Sequence, residues 1–315
     1  MSIEVGVFRP GDAAACEAIS AEVFEPVDNI PYILQERYGI PGYGGRMNAF
    51  YARGLFESSP GSFLVAREED EVVGYAGLST QVDLGVGWLV HIGVKRTAQN
   101  RGIGHQLVLS GLRHFRALGL PVAWIAFDNG NERAGHLYRK LGFRHFATEV
   151  YYVRCLWDSD EGPALAVKQE PSVEALLRRL PPDKALFAEE ELAVLYGLPA
   201  GRVDVRRACL RERLGPGSAA YVPAEGDDVS SFAIAEREVD GPVLRLAMVS
   251  VGEPATTARL LRGVLARYRA LSEPGLPRLR AVYIDRHKPD DESVLALKAA
   301  GFQRVHHLLC LSRRL

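Results

Sequence analysis

The sequence predicts a mixed α/β fold that occurs twice in tandem, and three observations carry the prediction. The chain has 315 residues, about twice the usual domain size. Its apolar positions switch repeatedly between the period of a strand and that of a helix. A set of landmarks also recurs: Gly61-Ser62-Phe63-Leu64-Val65-Ala66 is echoed by Gly217-Ser218-Ala219-Ala220-Tyr221-Val222, Leu89 to Val94 by Leu246 to Val251, and Gly142-Phe143 by Gly301-Phe302. The glycine-to-glycine spans, 61 to 142 and 217 to 301, are 81 and 84 residues long, an agreement expected of a duplication. The polar breaker run Asp158-Ser159-Asp160-Glu161-Gly162-Pro163 suits a linker, so the expected domains are residues 1–157 and 164–315.

In the first half, Ile3 to Phe8 alternates as a strand, Arg9-Pro10-Gly11-Asp12 breaks it, and Ala13 to Phe24 has helical apolar spacing. From Glu25 to Ser59 the pattern is irregular, with Pro26, Pro31 and the flexible run 39–45, as in a loop-rich segment with one or two short helices. Ser62 to Arg67 and Val72 to Ser79 read as a hairpin across an acidic turn, and Gly87 to Val94 as the next strand. Ile103, Leu107, Val108, Leu112, Phe115 and Leu118 recur at three and four, and Gly119 supplies a stop. Val122 to Phe127 is a continuously apolar strand. Asn131 can cap a helix lined by Ala134, Leu137, Tyr138 and Leu141 and ended by Gly142. Phe143 to Leu156 completes the sheet as two short strands or one long hairpin, giving the order β-α-(loop, helix)-β-β-β-α-β-α-β-β.

Composition excludes several partner classes. The net charge is −1, and neither half has the basic excess that phosphate backbones demand, so nucleic acid is not expected as a partner. Cys16, Cys155, Cys209 and Cys310 form no CxxC pair, which argues against a metal site and a disulfide framework and for buried free thiols. There is no basic leader followed by an apolar stretch and no run of 18 apolar residues, so no membrane span is expected and the location reads as cytoplasmic.

The chemistry concentrates in Gln99-Asn100-Arg101-Gly102-Ile103-Gly104, between a strand and a helix. Such a turn aims several unpaired backbone N–H groups in one direction at the positive end of the helix dipole, and that geometry binds phosphate. Gly102 and Gly104 let the backbone approach an anion, and Arg101 adds a charge. The spacing is not Gly-x-Gly-x-x-Gly and no Lys-Ser/Thr follows, so dinucleotide and nucleoside-triphosphate readings lose ground.

The run Val94 to Gly104 resembles the pyrophosphate loop of the GNAT superfamily of acyl-CoA N-acyltransferases, whose signature is Gln or Arg, two residues, Gly, one residue, then Gly or Ala. Downstream, Asn131-Glu132-Arg133-Ala134-Gly135-His136-Leu137-Tyr138-Arg139-Lys140-Leu141-Gly142-Phe143 looks like the family's second motif, Asn-x-x-Ala-x-x-Leu-Tyr-x-Lys-x-Gly-Phe. The resemblance covers residues 1 to 157 and implies an acetyl-CoA-dependent N-acetyltransferase, with acetyl-CoA as co-substrate and no metal. It implies that the backbone of Ile92-Gly93-Val94 pairs with the pantetheine arm. The amides from Asn100 through Gly104 would hold the pyrophosphate, with Gln99 and His105 as flanking cofactor contacts. Asn131 would touch the cofactor further along, and Tyr138 would protonate the departing thiolate. Each has a plainer rival: Asn131 as a helix cap, Tyr138 as core.

The base is not legible. Several family members place a glutamate eleven residues before the loop, and here Trp88 stands there, with Asp83, His91 and Glu149 as nearby alternatives. On a regular strand His91 points away from Trp88, Val90 and Ile92, as a structural histidine does. Glu22, Glu25, Asp28 and Glu36, interleaved with aromatics from Phe24 to Tyr51, would suit a cationic amine. The acceptor class expected is a small-molecule amine, an aminoacyl compound or a peptide N-terminus. A non-catalytic acyl-CoA-binding or regulatory module is the alternative.

In the second half the corresponding loop, Val251-Gly252-Glu253-Pro254-Ala255-Thr256-Thr257-Ala258, lacks the glycine signature and about four residues, and Leu297 stands at the position of Tyr138. The whole therefore reads as a tandem GNAT fold whose second copy is degenerate, does not bind CoA, and serves as wall, lid or oligomer contact. A homo-oligomer is allowed.

Overall fold

The computed structural model describes residues 3–24, 62–156, 163–170, 172–180, 185–198, 201–215, 217–225, 231–237, 242–250, 253–270, 279–287 and 289–315. They form two compact units that interleave in sequence. The first takes Met1–Phe146, Tyr196–Ala200 and Leu309–Leu315; the second takes Ala147–Leu195 and Gly201–Leu308.

In the first unit β1 (Ile3–Val7), β2 (Phe63–Glu68), β3 (Glu71–Gln81), β4 (Val86–Val94) and β5 (Val122–Asp128) lie side by side in chain order, and the end of the last strand of the chain, β12 (Gln303–Arg314), follows β5. The first four strands pair antiparallel and β4 pairs parallel to β5, as a helical crossover between them requires. That crossover is α2 (Ile103–Ala117), whose Val108, Leu112 and Phe115 bury one stripe against Leu78, Leu89 and Ile125, while Leu107 packs with Val73 and Ala76. Gly87 and Gly111 are close-approach positions, since a Cβ would come within 2.5 Å of the Phe115 ring at the one and 2.6 Å of Leu89 at the other. On the other face α1 (Ala13–Phe24) places Cys16 and Ile19 against Phe63, Val65 and Tyr75. The helix α3 (Glu132–Lys140) follows β5.

One expectation needs correction. Residues 144–155 form a single strand, β6 (Arg144–Cys155), not two. Nothing in Ala147-Thr148-Glu149 can turn the chain, so the strand runs on, and its residues 147–155 belong to the second unit.

The second unit orders its strands β6, β11 (Ala281–His287), β10 (Val243–Ser250), β9 (Phe232–Arg237), β8 (Ser218–Pro223) and β7 (Val167–Gln169). Again one pair, β10 with β11, is parallel and one long helix bridges it. Between β7 and β8 stand α4 (Val173–Arg179), α5 (Ala188–Tyr196) and α6 (Arg202–Arg213); α7 (Pro254–Ala270) is the bridge, and α8 (Asp291–Ala299) precedes β12. Its core joins Val150 and Tyr152 of β6 to Leu261, Val264 and Leu265 of α7 and Leu297 of α8. The four cysteines are free, three of them buried. Among the described residues no helix is long and apolar enough to cross a membrane, and no cluster of three His, Cys, Asp or Glu is arranged to hold a metal.

Candidate acyl-CoA site

The two strands that frame the site part from one another. β4 and β5 pair from Val86↔Val122 to Leu89↔Ile125, and there the ladder stops, although the strands continue to Val94 and Asp128. The cause is a bulge in β4: Ala76 faces Ile92 and Leu78 faces Leu89, so β4 spends an extra residue over the same stretch of β3 and bends. Past Leu89, the backbone groups of β4 that β3 does not use face a gap, which an extended chain can fill as an added strand. Ile92, Gly93 and Val94 lie along it.

The bulge also overturns the alternation expected for His91. Before it, the Cβ direction at Gly87 meets Phe115 of α2; after it, the Cβ direction at Gly93 meets Tyr75 and Ile19, on the α1 face. His91 accordingly meets Phe24 of α1 edge-on at 5.8 Å. Trp88, between two residues that face α2, is on the same side of the sheet as His91. It stacks on Trp124 of β5 (4.9 Å between centroids, 13° between planes), and Phe146 meets Trp124 edge-on at 6.0 Å. An aromatic wall thus stands where several family members carry a glutamate.

At the far end of β4 the chain makes a short turn and enters α2. Asn100 has φ of 64° and Gly102 φ of 81°. Left-handed residues two apart orient neighbouring N–H groups into an anion nest, and glycine takes this conformation without penalty. The ladder of α2 opens with Gln106 N donating to Gly102 O at 3.1 Å, so the amides of Ile103, Gly104 and His105 lie ahead of it at the positive end of the helix. A Cβ at Gly104 would touch nothing closer than Leu137 at 3.5 Å.

Side chains brace this cradle. Gln99 Nε2 donates to Val94 O at 3.0 Å while its Oε1 accepts from Arg133 Nη1 at 2.6 Å, so one residue ties the end of β4 to the first turn of α3. Arg96 N donates to Glu22 Oε1 at 2.9 Å, which commits an acid assigned to the acceptor region to shaping the loop instead. Arg101, read as a phosphate partner, places both terminal nitrogens on the Glu68 carboxylate. That hydrogen bonding holds the Glu68 carboxyl below its ordinary range and raises the Arg101 guanidinium.

Asn131 is the N-cap of α3, its Oδ1 accepting from Ala134 N at 3.0 Å. Tyr138 is 6% exposed, held between the rings of Phe127 (5.4 Å) and Phe143 (6.2 Å). Burial pushes its phenol well above the ordinary range, so it stays protonated and able to donate. Of the alternative bases, Asp83 is exposed in the turn before β4, and Glu149 is buried and falls in the second unit. Glu25, Asp28 and Glu36, with the aromatics from Tyr32 to Tyr51, lie outside the described residues.

His91 is held neutral. Burial lowers its imidazole from 6.5 to about 4. Between those values the unfolded chain binds a proton that the native state refuses, so stability is lost as pH falls from 6.5 toward 4, by up to about 1.4 kcal/mol per pH unit. Urea unfolding followed by tryptophan fluorescence at pH 7, 5.5 and 4.5 is expected to show this slope, and His91→Gln is expected to flatten it.

In the second unit the parting of strands recurs, with a bulge in β10 between Leu246 and Met248, but the cradle is filled from within. The Glu253 carboxylate accepts from Ala255 N at 3.0 Å, Thr256 N at 2.7 Å and Thr256 Oγ1 at 2.7 Å. These bonds, that of the Thr256 side chain first, hold its carboxyl below the ordinary range. The helix end is kept: Gly301 N donates to Lys298 O and Phe302 N to Leu297 O, both at 2.9 Å, as Gly142 N does to Arg139 O and Phe143 N to Tyr138 O, both at 3.0 Å.

Residues 29–143 match the acetyltransferase (GNAT) family. A mycothiol acetyltransferase of Streptomyces scabiei is 31% identical over 155 residues, 48% of this chain and 46% of that protein; the chain spans about half, or less, of the length of the curated relatives it matches. Among solved structures, a GCN5-related N-acetyltransferase from Sphaerobacter thermophilus superposes with a TM-score of 0.62 at 14% identity, covering 99% of this chain and 95% of that one. A tandem GNAT protein from the clavulanic acid biosynthesis pathway superposes with a TM-score of 0.58 at 14% identity, covering 99% and 98%. Identities this low speak to fold alone. Residues 29–143 thus match the GNAT acetyltransferase family in sequence, and the chain shares the fold of a tandem GNAT protein along its length.

Proposed function

We propose that the protein transfers an acetyl group from acetyl-CoA to a primary amine by direct attack in a ternary complex, and that each chain holds one CoA site. The observation that carries this reading is the gap between β4 and β5, flanked at one end by the nest at Asn100 and Gly102 and followed in the chain by the buried, protonated Tyr138. The nest and the leading amides of α2 suit a pyrophosphate, and the edge of β4 that parts from β5 at Ile92 to Val94, with Val94 O already held by Gln99, suits an extended amide-bearing arm. Residues 1–157 carry these motifs. Residues 164–315 do not bind CoA in this reading, because the Glu253 carboxylate takes the amides that an anion would need.

In the reaction a neutral amine attacks the thioester carbonyl, a backbone N–H beside the bulge steadies the oxyanion, the C–S bond breaks as Tyr138 gives its proton to the departing sulfur, and the nitrogen loses its surplus proton to solvent, which reprotonates the phenolate. The curated relatives are named mycothiol acetyltransferases, so a small-molecule amine is the acceptor class favoured here. Incubation with acetyl-CoA and a panel of amines, mycothiol-related ones included, is expected to release free thiol. Tyr138→Phe is expected to lower kcat by about 100-fold with the fold retained. Tight CoA binding with no turnover on any amine, together with an unchanged Tyr138→Phe, would identify a non-catalytic acyl-CoA-binding module instead.

A further inference from the structure

The first unit is closed by residues that lie far from it in sequence. Leu311 of β12 is 1% exposed and shares a cluster with Tyr138, Phe127, Leu141 and Phe143. Leu315 N donates to Pro121 O at 2.9 Å, at the entry to β5. The Ser312 hydroxyl lies 2.9 Å from the Tyr196 hydroxyl. Most pointedly, Arg313 Nη1 donates to Leu141 O at the end of α3, and its guanidinium lies 3.9 to 4.0 Å from where a Cβ would stand at Gly142, a residue with φ of 82°.

This completes the helix end that carries Tyr138. The bonds from Gly142 and Phe143 satisfy the carbonyls of Arg139 and Tyr138, as a left-handed glycine after a helix usually does. The carbonyl of Leu141 lies beyond that pattern, and Arg313 supplies its donor. A cation there is also favoured by the helix dipole.

An arginine is placed beside the corresponding glycine of the second unit. Arg154 Nε lies 3.2 Å from the Cβ position at Gly301, which has φ of 80°. Gly142 and Gly301, Arg154 and Arg313, and Tyr138 and Leu297 are each 159 residues apart, so the duplication has kept the arginine, the glycine and the helix end while the tyrosine is present in one copy.

We propose that Arg313 and Leu311 are positioning residues for Tyr138, so that the second half of the chain takes part in acetyl transfer by supplying a strand to the acyl-CoA unit. The proposal rests on the proposed role of Tyr138 as proton donor. A displacement of about 1 Å at a reacting group can cost 100-fold in rate, and Tyr138 stands within one turn of the contact.

A double-mutant cycle in the full chain separates this role from a purely structural one. Arg313→Met keeps the apolar stem and removes the donor; Arg313→Lys keeps a donor. Arg313→Met is expected to lower kcat about tenfold with KM for acetyl-CoA within about twofold of wild type, since the cradle is untouched. In the Tyr138→Phe background the same substitution is expected to cost less than about twofold, because the group it positions is gone. Arg313→Lys is expected to recover most of the loss. Should Arg313→Met not fold, Leu311→Met, which conserves volume, enters the same cycle. An equal loss in both backgrounds, or a loss that follows the fall in Tm and is not recovered by lysine, overturns the proposal. A wild-type enzyme that turns over while Tyr138→Phe is unaffected removes the proton-donor role and this inference with it, whereas no turnover by wild type on any amine refutes acetyl transfer itself.

Discussion

Gly104→Glu is expected to abolish CoA binding and leave the protein folded. The backbone at Gly104 lies within the first turn of α2 and a Cβ there makes ordinary contact with Leu137 at 3.5 Å, so the fold has no reason to object. The longer side chain instead brings a carboxylate to the leading amides of α2, where it competes for the same donors and repels a diphosphate. An unpaired charge forced into such an interface costs several kcal/mol, and every 1.4 kcal/mol is about tenfold, so a loss of at least about 100-fold is expected by calorimetric titration with CoA. Gly104→Ala is the control, with affinity within about threefold of wild type and an unchanged thermal transition in both variants. The second unit already shows this arrangement, for Glu253 sits on the corresponding amides.

Arg206→Met is expected to give the largest loss of stability. Arg206 of α6 is 5% exposed and donates through Nε (3.1 Å) and Nη2 (2.8 Å) to Glu190 Oε2 of α5, whose side chain is fully buried; Leu186 N donates to the other oxygen at 3.1 Å. Taking away the counter-charge leaves a carboxylate in the core, at a cost of about 3–5 kcal/mol. For a unit of this size that corresponds to a fall in Tm of roughly 6 to 20 °C. Glu190→Gln added to Arg206→Met is expected to recover much of it, because the penalty belongs to the stranded charge and not to the missing pair. A shift below about 2 °C in the single variant would show that water reaches Glu190.

Much of this was legible in the sequence because it is local. The helix at 103–117, the stop at Gly119 and the cap at Asn131 follow from periodicity and terminal residues within one turn of each other, and the loop signature marks the nest. The duplication was visible because glycines that end helices cannot drift without losing a left-handed residue. What escaped depends on partners distant in the chain. The bulge that brings His91 and Trp88 to one face is set by register with β3, not by any residue in β4 that announces it. The Arg133 bond to Gln99 and the Arg101 bond to Glu68 join residues 34 and 33 apart, and no spacing rule reaches that far. Arg313 and Leu141 are 172 residues apart, so local pattern suggests two short strands or one long hairpin over 143–156, where the structure has one strand and the next lies in β12.

The interleaving of the units has a consequence for how the protein is made. Synthesis proceeds from the N-terminus at about 5–20 residues per second, so roughly 8 to 30 s separate the emergence of Cys155 from that of Leu311. Throughout that interval β5 waits with one edge uncovered, and Phe127, Tyr138 and Phe143 lack the leucine that caps their cluster. Bare strand edges invite pairing with other chains, and contacts this distant in sequence form slowly. The nascent chain therefore holds an incomplete first unit until β12 arrives, and that delay gives aggregation its chance to compete with folding.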